Sequence, residues 1–121
     1  MMTETVDDFF AGHDAALAIF AELRVLIEKL GPSSLHVGKS QIAFRRRRTF
    51  AMVWRPGQYL GGRTAPLVLT LALPYRDPSP RWKQIVEPAP GHSTHHLELW
   101  AAGEVDAEVA GLLASAYRYA G

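Results

Sequence analysis

The chain has 121 residues, of which 48% are hydrophobic and 21% are charged, and its formal net charge is +1. This length fits one hydrophobic core, and this composition is typical of a globular domain rather than a disordered segment, so residues 1–121 are predicted to form a single domain. The sequence contains no Cys, which excludes disulfides, thiolate metal sites and cysteine nucleophiles.

The first eight residues are acidic and have neither a basic start nor an apolar run, so we expect no secretory signal here. No apolar stretch anywhere in the sequence approaches the roughly 20 residues that a membrane-spanning helix needs. These features predict a cytoplasmic protein without a membrane partner.

Two helices are predicted near the N-terminus. Thr5 lies three residues before Asp8, the spacing of a helix N-cap, so a short helix is expected to begin here, with Gly12 weakening it. A longer helix follows, because apolar residues recur at steps of three and four; they are Leu17, Phe20, Leu23, Ile27 and Leu30. Gly31 and Pro32 are expected to end it.

The middle of the chain changes to an alternating pattern, which is typical of strands. Five strands are predicted: Ser34 to Gly38, Gln41 to Arg45, Arg48 to Arg55, Leu67 to Tyr75, and Thr94 to Trp100. The fourth has the clearest alternation, with leucine at every second position from Leu67 to Leu73. Between Arg76 and Gly91 there are four prolines, which predict a loop through most of that segment.

Helical spacing returns from Glu104 to Tyr119, with acidic residues at the predicted N-terminal end. The order of elements predicts an α+β fold, a five-stranded antiparallel sheet flanked by N-terminal and C-terminal helices. We expect both helices to cover one face of the sheet. The other face would then be open to a ligand, a partner or a second copy of the chain.

Several separated blocks of the sequence agree in order with a known family. They are Thr5 to Gly12, Lys39 to Phe44, Arg48 to Ala51, His95 to Leu99, Glu104 to Asp106, and Ala116-Tyr117. On these blocks the chain resembles a bacterial family known as domain of unknown function 5655. It is similar, more distantly, to the YdhG-like proteins. The second resemblance implies a helix–sheet–helix layout that is frataxin-like and, in the wider group, a proposed iron-chaperone role. Neither resemblance assigns a catalytic residue.

The segment Arg45-Arg46-Arg47-Arg48 joins two predicted strands, where a turn normally uses Gly, Asn or Asp. Guanidinium groups suit carboxylates and phosphates, so our leading hypothesis is a non-catalytic binding module that contacts an anionic ligand or an acidic protein surface through this basic hairpin. The predicted ligand-binding residues are Lys39, Arg45, Arg46, Arg47, Arg48, Trp54, Arg63 and His96. Alternatively, the arginines pair with the acidic helices, hold a second copy in a homodimer, or keep the hairpin soluble, since charge runs are usually solvated.

A second hypothesis is single-stranded nucleic-acid binding, in which Trp54, Tyr59 and Trp82 would stack on bases beside the cations. Twelve carboxylates and the absence of a known nucleic-acid-binding motif argue against it.

The histidines His92, His95 and His96 suggest a metal site, but adjacent strand residues point to opposite faces. We therefore expect His95 toward the core and His96 toward the outside, with no metal site and no cofactor. A frataxin-like alternative would use Asp7, Asp8, Asp14 and His13. The rival class is a small enzyme or metal-dependent factor on the open face near Lys39, His96 and Glu98, and no catalytic motif organises these residues.

Overall fold

The computed structural model describes residues 4–58 and 61–121. It contains helices α1 (Val6–Phe9), α2 (Asp14–Leu30) and α3 (Ala107–Tyr119), and strands β1 (Ser34–Val37), β2 (Ile42–Arg45), β3 (Thr49–Trp54), β4 (Leu67–Leu73), β5 (Gln84–Ala89) and β6 (His92–Leu99). Short 3-10 turns lie at Pro56–Gln58 and Ala102–Glu104. The strands form one antiparallel sheet in the order β1-β2-β3-β4-β6-β5, so the predicted α+β class with flanking helices is confirmed.

α1 begins, and α2 ends, at the signals that the sequence predicted. The Asp8 backbone N–H donates to Thr5 Oγ1 at 3.1 Å, and the Thr5 backbone N–H donates to Asp8 Oδ2 at 3.1 Å, which is a capping box. α2 buries the middle of the predicted stripe, and Gly31 follows its last residue.

Gly31 is required by a close approach of α3 to the end of α2. Its φ is +136°, and the Tyr117 hydroxyl lies only 2.5 Å from the position that a Cβ would occupy. This hydroxyl donates to the Pro32 carbonyl at 2.9 Å. Glycine at this position therefore lets the two helices meet where the chain enters β1.

The hydrophobic core lies between the helices and one face of the sheet. In β4 the leucines at 67, 69, 71 and 73 are fully buried, and in β6 Leu97 and Leu99 lie opposite Leu69 and Leu67. The buried faces of α2 and α3 cover this surface. The alternation in β4 and β6 thus sorts their side chains between the core and the opposite, uncovered face.

A β-bulge adds one more aromatic ring to the core. Phe44 pairs with Ala51 and Arg45 pairs with Thr49, so Phe50 is an extra residue on β3. Phe50 and Ala51 are consequently both buried, and the Phe50 ring lies 5.4 Å from the Tyr117 ring.

The sheet has six strands, so the prediction of five was wrong. The additional strand is β5, within the segment predicted to be a loop because of its four prolines. β5 lies at the edge of the sheet, where Pro88 does not interrupt a ladder on both sides, and its pairing with β6 shifts register between Val86 and Ala89. The five predicted strands agree with the observed ones to within two residues at each end.

The C-terminal helix begins later than predicted. Glu104 belongs to a 3-10 turn, and Asp106 is the N-cap of α3, where Asp106 Oδ1 accepts from the Val109 backbone N–H at 3.1 Å. In the part of the chain that the structure describes, the helices lack the length and hydropathy that crossing a bilayer requires.

Candidate functional site

The side of the sheet that no helix covers is here called the open face. It carries side chains from strands β3, β4, β6 and β5, which are neighbours in that order. Thr70 of β4 is paired with Met52 on one side and with His96 on the other, and Val68 is paired with Trp54 and Glu98. Because paired residues point to the same face, these side chains form two parallel rows across the sheet.

A hydrogen-bond chain runs through these rows. The Trp54 indole Nε1–H donates to Thr70 Oγ1 at 3.1 Å, and Thr70 Oγ1 lies 2.9 Å from His96 Nδ1. Thr70 is 3% exposed, so its hydroxyl acts as a fixed link between the two rings. Burial lowers the pKa of His96 below its usual value, because removal from water disfavours the imidazolium. His96 Nε2 has no hydrogen-bond partner among the described residues.

A cavity of about 340 Å³ opens beside His96. Its apolar wall consists of Trp54, Pro56 and Val68. The polar groups are supplied from the rim by Arg63, Thr64, Lys83, Gln84, His96 and Glu98. An apolar wall with a few converging polar groups, in a volume between about 300 and 1,000 Å³, is the usual form of a small-molecule site.

The charged side chains of this cavity differ in whether they already form an ion pair. Lys83 Nζ forms an ion pair with Glu98 Oε2 at 3.0 Å across the β5–β6 ladder. The Arg63 guanidinium lies 5.0 Å from the centre of the Trp100 ring and makes no ion pair within residues 4–58 and 61–121. Arg63 therefore supplies the positive charge at the rim that no described carboxylate offsets.

The arginine hairpin lies elsewhere, against the end of α3. Arg46 Nη1 donates to the Tyr117 carbonyl at 2.9 Å, and Arg48 Nη2 donates to the Tyr119 carbonyl at 2.6 Å. The backbone N–H groups of Arg47 and Arg48 both donate to the Ala120 carbonyl, at 3.0 and 3.3 Å. Carbonyls in the last turn of a helix lack intrahelical partners and carry its partial negative charge. Arg46 and Arg48 thus cap α3.

The predicted ligand-binding residues therefore do not all lie at one site. Trp54, Arg63 and His96 line one cavity. Arg45, Arg46, Arg47 and Arg48 lie outside it, and Lys39 is an exposed residue of the turn between β1 and β2 that does not line it either.

The two adjacent histidines face opposite sides of the sheet, as predicted. His95 is fully buried, its Nε2 accepts from the Asp77 backbone N–H at 2.9 Å, and its Nδ1–H donates to the Ser93 carbonyl at 3.2 Å. Burial is the main cause that lowers its pKa. No group of three or more His, Asp or Glu side chains within the described ranges is placed to hold a metal ion.

Two of the aromatic residues considered for nucleic-acid stacking, Trp54 and Trp82, lie on different sides of the sheet. Trp54 lies on the open face, whereas Trp82 packs against the core side, with its ring 4.8 Å from the His95 ring and its Nε1–H donating to Asp77 Oδ2 at 2.9 Å. Tyr59 lies outside the described residues.

Sequence reasoning did not select Lys83, which lines the cavity, or Thr70, which does not line it but lies within hydrogen-bond distance of His96 Nδ1. Thr70 is the one polar residue in the run from Leu67 to Leu73, and that exception was a signal that it has a specific partner. Lys83 had no such signal, because it precedes the strand hidden in the proline-rich segment.

These features define a small α+β protein with one helix-covered and one open sheet face. The family model of a domain of unknown function (DUF5655) matches residues 6–120, and the chain belongs to this family. No curated protein and no solved structure matches the chain.

Proposed function

We propose that this protein is a non-catalytic binding module that takes a small organic anion in the cavity of the open face. The observation that carries the proposal is the convergence of Trp54, Arg63 and His96 on one cavity of about 340 Å³. A guanidinium and an imidazole beside an indole ring suit a ligand with a negatively charged group and a flat apolar body.

The charge of the site favours an anion over a cation. The single carboxylate of the described lining, Glu98, already pairs with Lys83, whereas the Arg63 guanidinium has no described carboxylate partner. A ligand carboxylate or phosphate would provide that partner. The apolar wall of Trp54, Pro56 and Val68 would cover the rest of the molecule.

The hydrogen bonding at His96 favours binding over nucleophilic catalysis. Its Nδ1 is engaged by Thr70, and this hydroxyl is too deeply buried to reach a substrate. A histidine that activates a nucleophile needs an accessible hydroxyl or thiol within hydrogen-bond distance, and the described residues place none at Nε2.

The open face is a better candidate than the arginine hairpin, because the donors of Arg46 and Arg48 are directed at the α3 carbonyls. Anion binding by Arg45 and Arg47, homodimer formation through the hairpin and a cytoplasmic location stay predictions. The frataxin-like fold and an iron-dependent role likewise rest on the YdhG-like resemblance alone.

Binding is tested by titrating the ¹⁵N-labelled protein with benzoate, phenyl phosphate and the neutral amide benzamide. We expect millimolar or tighter binding of at least one anion, with shifts at the Trp54 indole and the His96 amide. Benzamide should bind at least about tenfold more weakly, because a hydrogen bond to a charged group contributes about 1.5–3 kcal/mol and 1.4 kcal/mol corresponds to tenfold.

Two matched variants locate the site. Arg63→Gln should weaken anion binding by about tenfold or more, whereas Lys39→Gln removes a charge outside the cavity and should leave it unchanged. Neither anion binding at millimolar concentration, or equal effects of the two substitutions, would refute the proposal.

A further inference from the structure

We infer that His96 takes up a proton when the anion binds, so that the ligand is recognised by an imidazolium in the lining of the cavity. This inference deepens the proposed function and depends on it. The ligand class becomes a small organic anion that is bound together with one proton.

The ring of His96 keeps Thr70 as a hydrogen-bond partner through this change. The Thr70 hydroxyl has one hydrogen and two lone pairs, and one lone pair accepts from the Trp54 indole N–H. In the neutral state the hydroxyl donates to His96 Nδ1 and the ring proton sits on Nε2. When a proton from solvent adds to Nδ1, the hydroxyl rotates and accepts Nδ1–H with its second lone pair. In both states Nε2–H remains available to a ligand in the cavity.

Among the described residues around His96, no carboxylate is free to act as a counter-charge for the imidazolium. Glu98, two residues further along β6, is paired with Lys83, the residue before β5. The remaining charge among the described residues of the cavity is the Arg63 guanidinium, which is not a counter-charge for an imidazolium. Trp54 of β3 and Thr70 of β4 carry no charge.

Burial also acts against the imidazolium, because it lowers the pKa of His96 in the protein without a ligand. A bound anion supplies the missing negative charge and favours the protonated ring. By linkage, an anion that raises the proton affinity of His96 is itself bound more tightly when His96 is protonated, and by the same factor. Anion binding should therefore weaken as the pH rises from the midpoint of the free histidine to that of the ligand-bound histidine, and should level off above it.

His95 provides an internal comparison. Both of its ring nitrogens are occupied by backbone groups, Nε2 accepting from Asp77 and Nδ1–H donating to Ser93. A proton on Nε2 would face another donor, so His95 cannot respond to a ligand in this way. It also points to the opposite side of the sheet.

The experiment follows the imidazole resonances of His95 and His96 by NMR from about pH 5 to pH 8, with and without saturating benzoate. We expect benzoate to raise the titration midpoint of His96 by at least about half a pH unit and to leave that of His95 unchanged. Calorimetry in two buffers of different ionisation enthalpy, at a pH between the two NMR midpoints of His96, should show net proton uptake on binding.

His96→Gln should abolish the uptake and weaken benzoate binding, while His92→Gln, at the far end of β6, should change neither. If the Gln variant does not fold, the midpoint shift in the unsubstituted protein decides alone. Benzoate binding without proton uptake or a midpoint shift refutes this inference and leaves the proposed function intact. Uptake that persists in the folded His96→Gln variant refutes it as well. If benzoate does not bind, phenyl phosphate replaces it in the NMR titration, and failure of both anions to bind refutes both the inference and the proposed function.

Discussion

The side chain of Arg46 contacts Tyr117 twice, with its guanidinium carbon 3.9 Å from the ring centre and its Nη1 donating to the carbonyl of the same residue at 2.9 Å. Arg48 repeats the arrangement on Tyr119, at 4.4 Å from the ring centre and 2.6 Å from the carbonyl. The two arginines are two residues apart, as are the two tyrosines. This matched spacing fastens the β2–β3 hairpin to the last turn of α3.

We expect the Arg46→Gln/Arg48→Gln double variant to lower the free energy of unfolding by about 1–3 kcal/mol, because it removes two cation–π contacts and two charge-assisted hydrogen bonds at partly exposed positions. Urea unfolding measures this loss. Arg47→Gln is the control, since that side chain has no hydrogen bond or ring contact with a described residue, and its effect should stay within about 0.5 kcal/mol. A double variant as stable as the control would show that these contacts do not hold the hairpin.

The arginine run illustrates what the sequence alone can predict. Four adjacent cations are visible in the sequence, but their partners lie 71 residues further along the chain at α3. Periodicity predicts which face of a helix or strand is buried, and it correctly predicted the helices, the core leucines of β4 and the opposite directions of His95 and His96. It does not predict which helix end meets which hairpin.

The missed strand β5 and the cavity also depend on contacts between distant segments, which local sequence patterns do not predict. Pro88 argued against a strand at β5, because the local pattern does not reveal that β5 is an edge strand. Trp54, Arg63 and His96 were each recognised as candidates from their chemistry. Their convergence depends on the pairing of β4 with both β3 and β6. The β4–β6 pairing joins strands that are not consecutive in the chain, so it is set by the packed sheet rather than by local sequence.

Gly31→Ala should destabilise the protein, whereas Gly111→Ala should stabilise it. At Gly31 an added Cβ would require a strained positive φ and would meet the Tyr117 hydroxyl. At Gly111, on the exposed side of α3, nothing lies within 4 Å of the added Cβ, and replacing a helical Gly by Ala contributes about 0.5–1 kcal/mol. Thermal unfolding of both variants measures the contrast. Shifts of the same sign would contradict the assigned role of Gly31.

Acid should destabilise the fold through His95 and His96. Each has its pKa lowered in the folded protein, mainly by burial, so the unfolded chain binds more protons once the pH falls below about 6.5. The free energy of unfolding should therefore fall as the pH drops through about 6.5, and the fall should continue to the lower midpoints of the folded state. Urea unfolding at several pH values measures it. His95→Gln should lower stability at neutral pH but reduce this slope, and a slope equal to that of the unsubstituted protein would rule out His95 as a source.

Thr70→Val tests the hydrogen-bond chain of the open face. Valine keeps the branched shape and removes the hydroxyl, which takes away the partner of His96 Nδ1 and one acceptor of the Trp54 indole. Losing a partner at a buried polar group costs about 1–3 kcal/mol, and we expect that loss of stability in urea unfolding. The protonated ring loses more hydrogen-bond energy than the neutral one, because its Nδ1–H must donate. The NMR titration midpoint of His96 should therefore move to lower pH, and benzoate should bind more weakly.

Thr94→Val is the matched control on the same face, because the Thr94 hydroxyl has no hydrogen bond with a described residue. That variant should retain its stability to within about 0.5 kcal/mol and its His96 midpoint. An unchanged midpoint in Thr70→Val, or equal changes in both variants, would mean that Thr70 does not support the protonated state of His96.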